Sequence, residues 1–519
     1  MHQTMNKVVI VGGGTAGWLT AGVLAARYQA GEHGVEVVLI ESPDVATIGV
    51  GEGTWPSMRA TLQSIGVSEA AFIRECDASF KQGSCFQGWR NGGDNRYYHP
   101  FSLPQGYSEL NLAPFWQPQA EQISFADAVS QQSRLCELGL APKQVSTPEF
   151  AFIQNYGYHL DAGKFADFLT RHCVSKLGVT HIRDHVVDVI PDQSGYIQEI
   201  KTQQHGELRG DMFVDCTGFS SVLIGQHYQV PMQSIQPYLF NDRALAVQLP
   251  YTDPNAPIAS ATLATAHSGG WIWDIGLPSR RGVGAVYASD FMRDTEAEAA
   301  LMTYLSKQVG ATIAQQLTPR TIKFNPGYRE RFWHKNCVAI GLSAGFVEPL
   351  EASALVMVEF AAKMLAEQLP ANRETMIITA KQFNEKFNYR WQRIVEFLKL
   401  HYVLSQRNDS EYWLAHRQTE TVPDTLQASL DLWRYQPPWH LDTPYIDELF
   451  PAASYQYILY GMGFVTDTET RRIRQHDAMQ TKAHQLFREN AQRTQQLASG
   501  LPDNRSLIEH IRQSKCATP

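Results

Sequence analysis

The chain of 519 residues is longer than one hydrophobic core usually spans, so we expect two or three structural units. Apolar residues make up 44% of the chain and charged residues 18%, which is a globular composition, and 11% aromatic residues favour an aromatic-lined pocket. The formal net charge of −8 gives no electrostatic reason to expect a polyanionic partner, which argues against nucleic-acid binding.

The cysteines and the apolar segments indicate the compartment. The seven cysteines form no C-x-x-C pair and no other metal or disulfide pattern, which favours a reducing cytoplasm and no metal site. The apolar segment at residues 8–26 is interrupted by Gly12, Gly13, Gly14 and Gly17, so we do not interpret it as an export signal. No uninterrupted apolar run reaches the ~18 residues that a membrane span needs. We therefore expect a soluble, cytoplasmic protein without a membrane partner.

The first predicted elements are a strand, a glycine-rich turn, a helix and a second strand. Lys7–Val11 is a short β-branched run, and Trp18–Tyr28 has the apolar spacing of a helix. A glycine-rich turn lies between them, and Val35–Ile40 predicts a second buried strand. This order predicts a βαβ unit that opens a dinucleotide-binding domain.

The turn satisfies the G-x-G-x-x-G fingerprint. Gly12 permits the tight turn, Gly14 lets the backbone approach a pyrophosphate, and Gly17 allows close packing of helix on strand. The helix N-terminus faces the phosphates, and the acidic Glu41 closes the second strand, where it can hold the adenosine ribose. The residues predicted to bind the dinucleotide here are Gly12, Gly13, Gly14, Thr15, Ala16, Gly17 and Glu41.

Two later strands favour FAD over NAD as the dinucleotide. Val214-Asp-Cys-Thr-Gly218 and Cys337-Val-Ala-Ile-Gly341 each run into a glycine. A single-domain NAD fold does not need them. In two-domain flavoproteins such returning strands bring backbone alongside the adenosine and the ribityl chain, at the carboxyl edge of the sheet.

The rest of the chain alternates between helical and strand-like segments. Gly163–Lys176 predicts a helix, and residues 235–290 carry several strand-like runs that are typical of a separate antiparallel layer. A further helix is predicted from about Ala352 to Leu369, and the pattern is helical from Lys381 to Trp413 and again from Ala452 to the end. The polar, Gln/Arg-rich residues 470–515 favour exposed amphipathic helices.

We predict an α/β fold: a doubly wound FAD-binding domain of the flavin-monooxygenase type, an antiparallel sheet layer and a helical C-terminal region. The FAD-binding domain is discontinuous, because the apolar strand at 337–340 returns to it after the antiparallel layer. The predicted boundaries are residues 1–235 and 320–370 for the FAD-binding domain, with 76–150 contributing to the substrate pocket, 236–319 for the antiparallel insertion, and 371–519 for a helical region that covers the substrate.

Several motifs occur in the order found in one enzyme family. Gly270-Trp-Ile-Trp-Asp-Ile275 fits a W-x-W-x-I signature, Phe80-Lys-Gln-Gly83 a lysine-bearing segment, and Ile48-Gly-Val-Gly-Glu-Gly-Thr54 a flavin-shielding loop. Gly341-Leu-Ser-Ala-Gly-Phe-Val-Glu-Pro-Leu-Glu-Ala-Ser-Ala354 is similar to the box G-x-S-x-G-F-x-D-P-L-E-S-T-G. On these motifs the chain resembles the flavin-dependent tryptophan halogenases, from its first strand to about residue 465.

The resemblance implies an oxidoreductase that uses FADH2, O2 and chloride or bromide to halogenate tryptophan, indole or a similar electron-rich aromatic through hypohalous acid. It also implies a separate flavin reductase that supplies the FADH2. The family's essential lysine maps to Lys81, which would carry the halogen as a haloamine or activate hypohalous acid by a hydrogen bond. The family's glutamate maps to Glu351, which would pair with the lysine and take the proton from the halogenated ring. The further cofactor contacts that we expect are Ile48, Gly49, Val50, Glu52, Val187, Gly218, Leu342 and Leu355.

Helix geometry predicts where a halide would bind. Ser353 and Ala354 open an apolar-faced helix, so their free backbone N–H groups form an anion site. The family's Ser-Thr-Gly is Ala352-Ser353-Ala354 in this chain, and Ala352 removes a hydroxyl next to the proposed base. The sequence therefore leaves open how Glu351 is positioned.

The substrate pocket is predicted from an aromatic stretch and a C-terminal tyrosine. His99 and Phe101 lie in Tyr97-Tyr-His99-Pro-Phe101, which resembles the stretch where family members sandwich an indole ring. Tyr455 follows Ser454, where tryptophan-specific members commonly have Ser-Trp. We expect His99, Phe101, Tyr455 and Glu351 to contact the substrate.

Trp271 and Trp273 have two interpretations. They lie two apart in a strand-like run and share a face, so they either pack a sheet or shield the flavin from organic substrate. Two other functions also stay open: a single-component FAD monooxygenase that hydroxylates an aromatic, and a catalytically degenerate flavin-binding member. The family often dimerises, so a homodimer is a further expectation.

Overall fold

The computed structural model describes residues 5–28, 34–45, 51–445, 447–467 and 477–514. The chain forms two compact units, each assembled from three stretches of sequence. Unit 1 contains Met1–Ala78, Leu160–Ile235 and Asn325–Trp391, and unit 2 contains Ser79–His159, Gln236–Phe324 and Gln392–Pro519.

Unit 1 is built on a six-stranded sheet that is parallel except for one edge pair. Lys7–Val11 lies between Glu36–Glu41 and Met212–Asp215, and Cys337–Ala339 continues the parallel order beyond Met212–Asp215. These strands are nearly continuous buried aliphatic runs, as expected for parallel strands that are covered on both faces. The turns after Lys7–Val11, Met212–Asp215 and Cys337–Ala339 contain predicted cofactor residues. Because these strands are parallel, all three turns lie at the same carboxyl edge of the sheet.

The described strands of unit 1 are Lys7–Val11, Glu36–Glu41, Gly51–Gly53, Thr180–Arg183, Val186–Pro191, Ile197–Thr202, Glu207–Arg209, Met212–Asp215, Met232–Ser234, Gly327–Arg329, Trp333–His334, Cys337–Ala339 and Gly345–Phe346. Its described helices are Thr15–Arg27, Ser57–Ser64, Glu69–Glu75, Ala162–Leu177, Gly218–Ser220, Val222–His227, Gly341–Ser343 and Ser353–Glu367.

Unit 2 is built on a seven-stranded sheet. The sheet is antiparallel except where Thr262–His267 pairs in parallel with Gly83–Gln87. Its core includes the fully buried Leu249 of the sheet together with Leu301 of the helix Asp294–Val309. Packing an amphipathic helix on one face is the usual way for an antiparallel sheet to bury its apolar side chains.

The described strands of unit 2 are Ser79–Lys81, Gly83–Gln87, Arg96–Pro100, Arg243–Pro250, Thr262–His267, Gly270–Gly276, Arg280–Tyr287 and Arg320–Lys323. Its described helices are Ala113–Trp116, Gln117–Gln119, Phe125–Val129, Gln132–Glu137, Asp294–Val309, Ala311–Ala314, Glu411–Ala415, Thr419–Thr421, Asp424–Trp433, Ala452–Gly461, Asp477–Gly500 and Asn504–Gln513. Two elements, the strand Gly157–Asp161 and the helix Arg373–Val403, have residues in both units.

The predicted fold class is confirmed, with a parallel sheet, an antiparallel layer and a helical C-terminal region. The opening helix is Thr15–Arg27, so it begins before the predicted Trp18, because the residues after Gly14 already form its first turn. No helix among the described residues combines the length and the apolar character needed to cross a membrane.

The segment from Lys381 to Trp413, whose pattern is helical, forms parts of two helices, with a break between them that the sequence analysis did not predict. The helix runs from Arg373 to Val403, and Glu411–Ala415 is a separate short helix. Beyond Val403 the backbone N–H of Gln406 donates to the carbonyl of Arg90 at 2.6 Å. This tertiary bond removes the residue from the helical ladder, and local sequence patterns do not report such bonds.

Candidate active site

In the glycine turn of unit 1, steric contacts with the protein require glycine at two of the three fingerprint positions. Gly12 has a φ of +111°, and a Cβ there would lie 2.2 Å from the carbonyl oxygen of Cys216. A Cβ on Gly17 would lie 1.9 Å from the carbonyl oxygen of Gly12, so this glycine allows helix and strand to pack closely. A Cβ on Gly14, in contrast, would meet no protein atom within 4 Å.

The open space at Gly14 tests whether the turn fits a dinucleotide. Gly14 precedes the helix Thr15–Arg27, and it makes no side-chain cap to that helix. The first N–H groups of the helix therefore point toward a space that a phosphate can fill. Gly218, which follows the strand Met212–Asp215, also has no protein atom within 4 Å of a Cβ position. The residues present thus fit a dinucleotide at the carboxyl edge of the sheet.

Glu41 is oriented by a histidine that the sequence analysis missed. The Nε2 atom of His181 lies 2.7 Å from Oε1 of Glu41, and its ring packs edge-on against Trp18 at 4.9 Å. A Cβ on Gly13 would lie only 1.6 Å from the other carboxylate oxygen, Oε2, so any side chain at position 13 would clash with Glu41. The carboxylate is therefore held directly beside the backbone of the glycine turn.

The remaining predicted cofactor residues are spread over unit 1. Leu342 is half-buried in the short helix Gly341–Ser343, and a Cβ on Gly341 would lie 2.8 Å from the Cβ of Ala16, so this segment packs on the glycine-turn helix. Leu355 is buried in the helix Ser353–Glu367. Val187 lies in a separate three-stranded sheet with its side chain 61% exposed.

Glu52 lies in the short strand Gly51–Gly53. Burial, followed by the neighbouring carboxylate of Asp161, raises the pKa of Glu52 to about 7. Glu52 therefore binds a proton over part of the neutral range, unlike an ordinary glutamate. The three other residues predicted from this loop, Ile48, Gly49 and Val50, lie outside the described residues.

Glu351 lies in the turn that begins the helix Ser353–Glu367, and it is only 3% exposed. Ala352, which follows it, has a left-handed φ of +55°, which costs a non-glycine residue about 1 kcal/mol. The Ala352 N–H donates to the carbonyl of Pro349 at 3.1 Å, and the indole N–H of Trp55 donates to the carbonyl of Glu351 at 2.7 Å. These two bonds hold the strained turn in place.

The start of this helix carries the predicted halide site. Ala352 is the residue before the helix and offers no side-chain cap to it, and Ser353 is buried. The N–H groups of Ser353 and Ala354 thus lie in the uncapped first turn, where an anion is favoured. Halide binding there remains a prediction.

Lys81 ends the strand Ser79–Lys81 of unit 2 and is 1% exposed. Its Nζ lies 5.3 Å from the centre of the Phe101 ring. The backbone N–H of Phe101 donates to the carbonyl of Gln82 at 3.2 Å, which holds Phe101 next to the lysine segment. Unit 2 therefore brings together two residues that the sequence predicted for one site.

A buried histidine shares the surroundings of Lys81. His159 lies opposite Ser79 in the pairing of Ser79–Lys81 with Gly157–Asp161, so its side chain is on the same face as that of Lys81. Its Nε2 lies 2.8 Å from the hydroxyl of Thr262. Burial, and then the charge of Lys81, lowers the pKa of His159 well below its usual value. His159 is therefore neutral at physiological pH and adds no second positive charge near Lys81.

His99 and Tyr455, the other predicted substrate residues of unit 2, lie near the same ring. The Nε2 of His99 is 2.9 Å from the hydroxyl of Ser454, which orients the imidazole. The ring of Phe397 is 5.5 Å from that of His99 and 5.1 Å from that of Tyr455. The sequence analysis did not identify Phe397, because it lies within a long helix whose apolar residues all fit a core.

Trp271 and Trp273 both belong to the strand Gly270–Gly276 and are 1% and 7% exposed. Their rings are 6.4 Å apart, and Trp271 is 6.3 Å from the ring of Trp89. A Cβ on Gly284 of the neighbouring strand would lie 2.2 Å from Trp273, so this glycine makes room for the indole. The pair is packed in an aromatic cluster of unit 2, and its role in shielding flavin stays a prediction.

Comparisons with known proteins give the family. The sequence profile of the tryptophan halogenase family matches residues 7–478. The crystal structure of a tryptophan halogenase from Shewanella frigidimarina is 53% identical, with a TM-score of 0.95 over 98% of both chains. The tryptophan 6-halogenase of Streptomyces toxytricini is 35% identical over 89% of this chain and 90% of its own. The chain belongs to the tryptophan halogenase family.

This halogenase is also similar to a structure described as a tryptophan C-6 flavin-dependent halogenase (chlorinase) from taromycin biosynthesis. That structure is 33% identical, with a TM-score of 0.89 over 98% of this chain and 100% of its own. The protein is therefore a flavin-dependent halogenase, an oxidoreductase that acts with a halide. The comparisons support this prediction over a single-component hydroxylating monooxygenase.

Besides Phe397, three neighbours of the predicted site residues in this halogenase were not found from the sequence. They are Trp55 at the Glu351 carbonyl, His181 at the Glu41 carboxylate, and His159 on the face of Lys81. Each is distant in sequence from the residue that it serves, so no local spacing pattern identifies it. Trp55 had one available signal, since it directly follows the predicted flavin-shielding loop.

Proposed function

We propose that this halogenase transfers chloride or bromide, as an electrophile, to tryptophan, indole or a similar electron-rich aromatic, and that Lys81 delivers the halogen. The observation that carries the proposal is the buried Lys81, whose Nζ lies 5.3 Å from the Phe101 ring. Removing an ammonium from water is costly, so a buried lysine needs a reason, and for Lys81, at the position of the family's essential lysine, we propose that the reason is chemistry.

The cofactor would be held by the glycine turn, Glu41, Gly218 and Leu342. The free N–H groups at the start of the helix Thr15–Arg27, which follows Gly14, would bind the pyrophosphate, and Glu41 would bind the ribose. When bound and reduced, FAD supplies the electrons that convert O2 and halide into hypohalous acid. A separate flavin reductase, acting with this protein in the cytoplasm, would provide the reduced form.

Lys81 would hold the electrophilic halogen near the substrate. The ammonium can donate a hydrogen bond to the oxygen of hypohalous acid and make its halogen more electrophilic, or the amine can form a haloamine. The Phe101 ring and the neutral His159 give Lys81 an environment of low polarity, where a hydrogen bond is stronger than in water. The same surroundings limit loss of the electrophile to water.

Glu351 would act as the general base that removes the proton from the halogenated ring. A buried carboxylate is suited to this task, because little water competes for it. The N–H groups of Ser353 and Ala354 would bind the halide at the helix start.

The aromatic substrate would stack between His99 and Phe101, with Tyr455 near its edge. The bond from His99 to Ser454 fixes one of these rings before substrate binds, which lowers the entropic cost of stacking. Aromatic contacts alone accept tryptophan and indole alike, so both belong to the proposed substrate class.

The test supplies the protein with FAD, a flavin reductase, NADH, O2 and bromide, and screens tryptophan and indole by mass spectrometry. We expect a product with the bromine isotope doublet, formed only when the reductase is present. A hydroxylated product, or rapid bleaching of bound FAD by NADH without reductase, would contradict the proposal. Light scattering on the same sample tests the expected homodimer.

A further inference from the structure

The helix Ser57–Ser64 of unit 1 and Trp55, which lies just before it, are joined to the segment of Glu351 and the helix Ser353–Glu367 at two points. The first is the turn that carries Glu351, where the indole N–H of Trp55 donates to the Glu351 carbonyl at 2.7 Å. The second lies two turns further along, where two hydroxyl groups of the first helix donate to the carboxyl group of Glu359. The shorter helix therefore fixes both the position and the beginning of the longer one.

The bond from Trp55 acts on one particular peptide group. The carbonyl of Glu351 belongs to the planar peptide that joins Glu351 to Ala352, and Ala352 is in the left-handed conformation with φ +55°. Rotation of this peptide would change the direction of the Glu351 side chain and of the first N–H groups of the helix. Ala352 has no polar side chain with which to hold the turn.

We infer that Trp55 is a positioning residue: its indole N–H holds the peptide between Glu351 and Ala352, and so orients both the Glu351 carboxyl and the helix start. This inference rests on the proposed roles of Glu351 as base and of the helix start as halide site. It goes beyond them, because it assigns the orientation of both groups to one hydrogen bond from Trp55, a residue to which the proposed function gives no role.

The test compares Trp55→Phe with the wild-type protein. Phenylalanine keeps an aromatic ring and removes the N–H donor. We expect kcat to fall about tenfold or more, because misplacement of a reacting group is costly, with the KM for the aromatic substrate unchanged. The KM for halide should rise several-fold, because the helix start shifts with the same peptide.

The matched control is Trp333→Phe. Trp333 is a buried tryptophan of unit 1 whose indole N–H also donates to a backbone carbonyl, that of Lys335, at 2.9 Å. The control loses the same kind of bond away from Glu351. It should keep kcat and halide KM, whereas its melting temperature and FAD affinity should match those of Trp55→Phe.

A double-mutant cycle separates positioning from a general structural effect. In a Glu351→Gln background, Trp55→Phe should cause little further loss of kcat, because the base that it positions is already absent. An equal loss in both backgrounds, or wild-type values of kcat and halide KM in Trp55→Phe, would overturn the inference. If Trp55→Phe does not fold, β-(3-benzothienyl)alanine introduced at position 55 keeps the indole shape and lacks only the donor.

Chloride binding measured by the ³⁵Cl NMR line width distinguishes failure of the inference from failure of the proposed function. The measurement uses the FAD-loaded protein and needs no turnover. If the wild-type protein does not halogenate, the proposed function fails, and weaker chloride binding in Trp55→Phe than in Trp333→Phe still supports the inference. Equal chloride binding in these two variants overturns it.

Discussion

The Nε2 atom of His181 lies 2.7 Å from the Oε1 atom of Glu41, although 140 residues separate them in sequence. The two residues end up on adjacent parallel strands, Glu36–Glu41 and Thr180–Arg183. The histidine occupies one carboxylate oxygen, so the second is left beside Gly13. In the proposed function, this fixed carboxylate would bind the ribose of the dinucleotide.

The first prediction concerns a variant in which His181 no longer orients the Glu41 carboxylate. His181→Phe keeps a ring against Trp18 and removes the nitrogen that holds Glu41. We expect the Kd for FAD to rise about fivefold, since one hydrogen bond contributes ~1 kcal/mol. Titration of flavin fluorescence measures the affinity. His172→Phe is the control, because its Nε2 contacts the carbonyl of Ile65 instead, and it should leave the Kd unchanged. Equal affinities for His181→Phe and wild type would contradict the prediction.

The second prediction separates the cofactor role of one glycine from the folding role of another. Gly14→Ala should leave the melting temperature unchanged, because its methyl group meets no protein atom within 4 Å and its φ of −72° suits alanine. We expect the Kd for FAD to rise about tenfold or more, because the methyl group fills the space that the pyrophosphate needs. Isothermal titration with FAD measures this change.

Gly12→Ala is the contrasting variant. Its methyl group would lie 2.2 Å from the Cys216 carbonyl oxygen, and alanine rarely adopts a φ of +111°. The melting temperature should therefore fall even without FAD, by an amount that reflects a loss of about 2 kcal/mol or more. The steric assignment would be wrong if Gly14→Ala lost stability and Gly12→Ala did not.

The third prediction concerns pH and Glu359. Burial raises the pKa of Glu359 from its usual 4.5 to about 8, against the opposing effect of the hydroxyls of Thr61 and Ser57. Between these two values the folded protein keeps a proton that the unfolded chain has lost. The free energy of unfolding should therefore decrease as pH rises from about 4.5 to about 8, on the order of a few kcal/mol from this residue.

Glu359→Gln should remove this contribution, because glutamine does not titrate and can keep both contacts: its Oε1 accepts from one hydroxyl, and its Nε2 donates to the other. Melting temperatures measured across this pH range should fall less steeply for the variant than for the wild type. Glu367→Gln, on the same helix but about half exposed, is the control and should keep the wild-type slope. Parallel curves for Glu359→Gln and wild type would rule out the assigned pH dependence.

Sequence reasoning worked best where the determinants are local. The strand Lys7–Val11, the glycine turn and the helix after it could be predicted from consecutive residues, since the strand, the glycine spacing and the helix follow one another directly in the sequence. Lys81 and Glu351 were identified by resemblance, and neither composition nor periodicity distinguishes them from other charged residues. Their catalytic roles remain predictions.

Tertiary hydrogen bonds explain what sequence reasoning missed. Trp55 and Glu351 are 296 residues apart, and neither the spacing nor the periodicity of the chain encodes their bond. The end of the helix Arg373–Val403 likewise depends on the bond from Gln406 to Arg90. Features of this kind arise from the packing of distant stretches, so they require the structure.

The most direct test of the central claim, delivery of halogen by Lys81, compares Lys81→Met with Lys143→Met. Lys143 is also a buried lysine of unit 2 beside aromatic rings, with its Nζ 5.3 Å from the centre of the Tyr156 ring and 3.1 Å from its hydroxyl. The measurement is the amount of halogenated aromatic product formed per FADH2 oxidised. We predict that Lys81→Met binds FAD normally and gives no halogenated product, while Lys143→Met keeps the wild-type ratio; halogenation by Lys81→Met at the wild-type ratio would contradict the account.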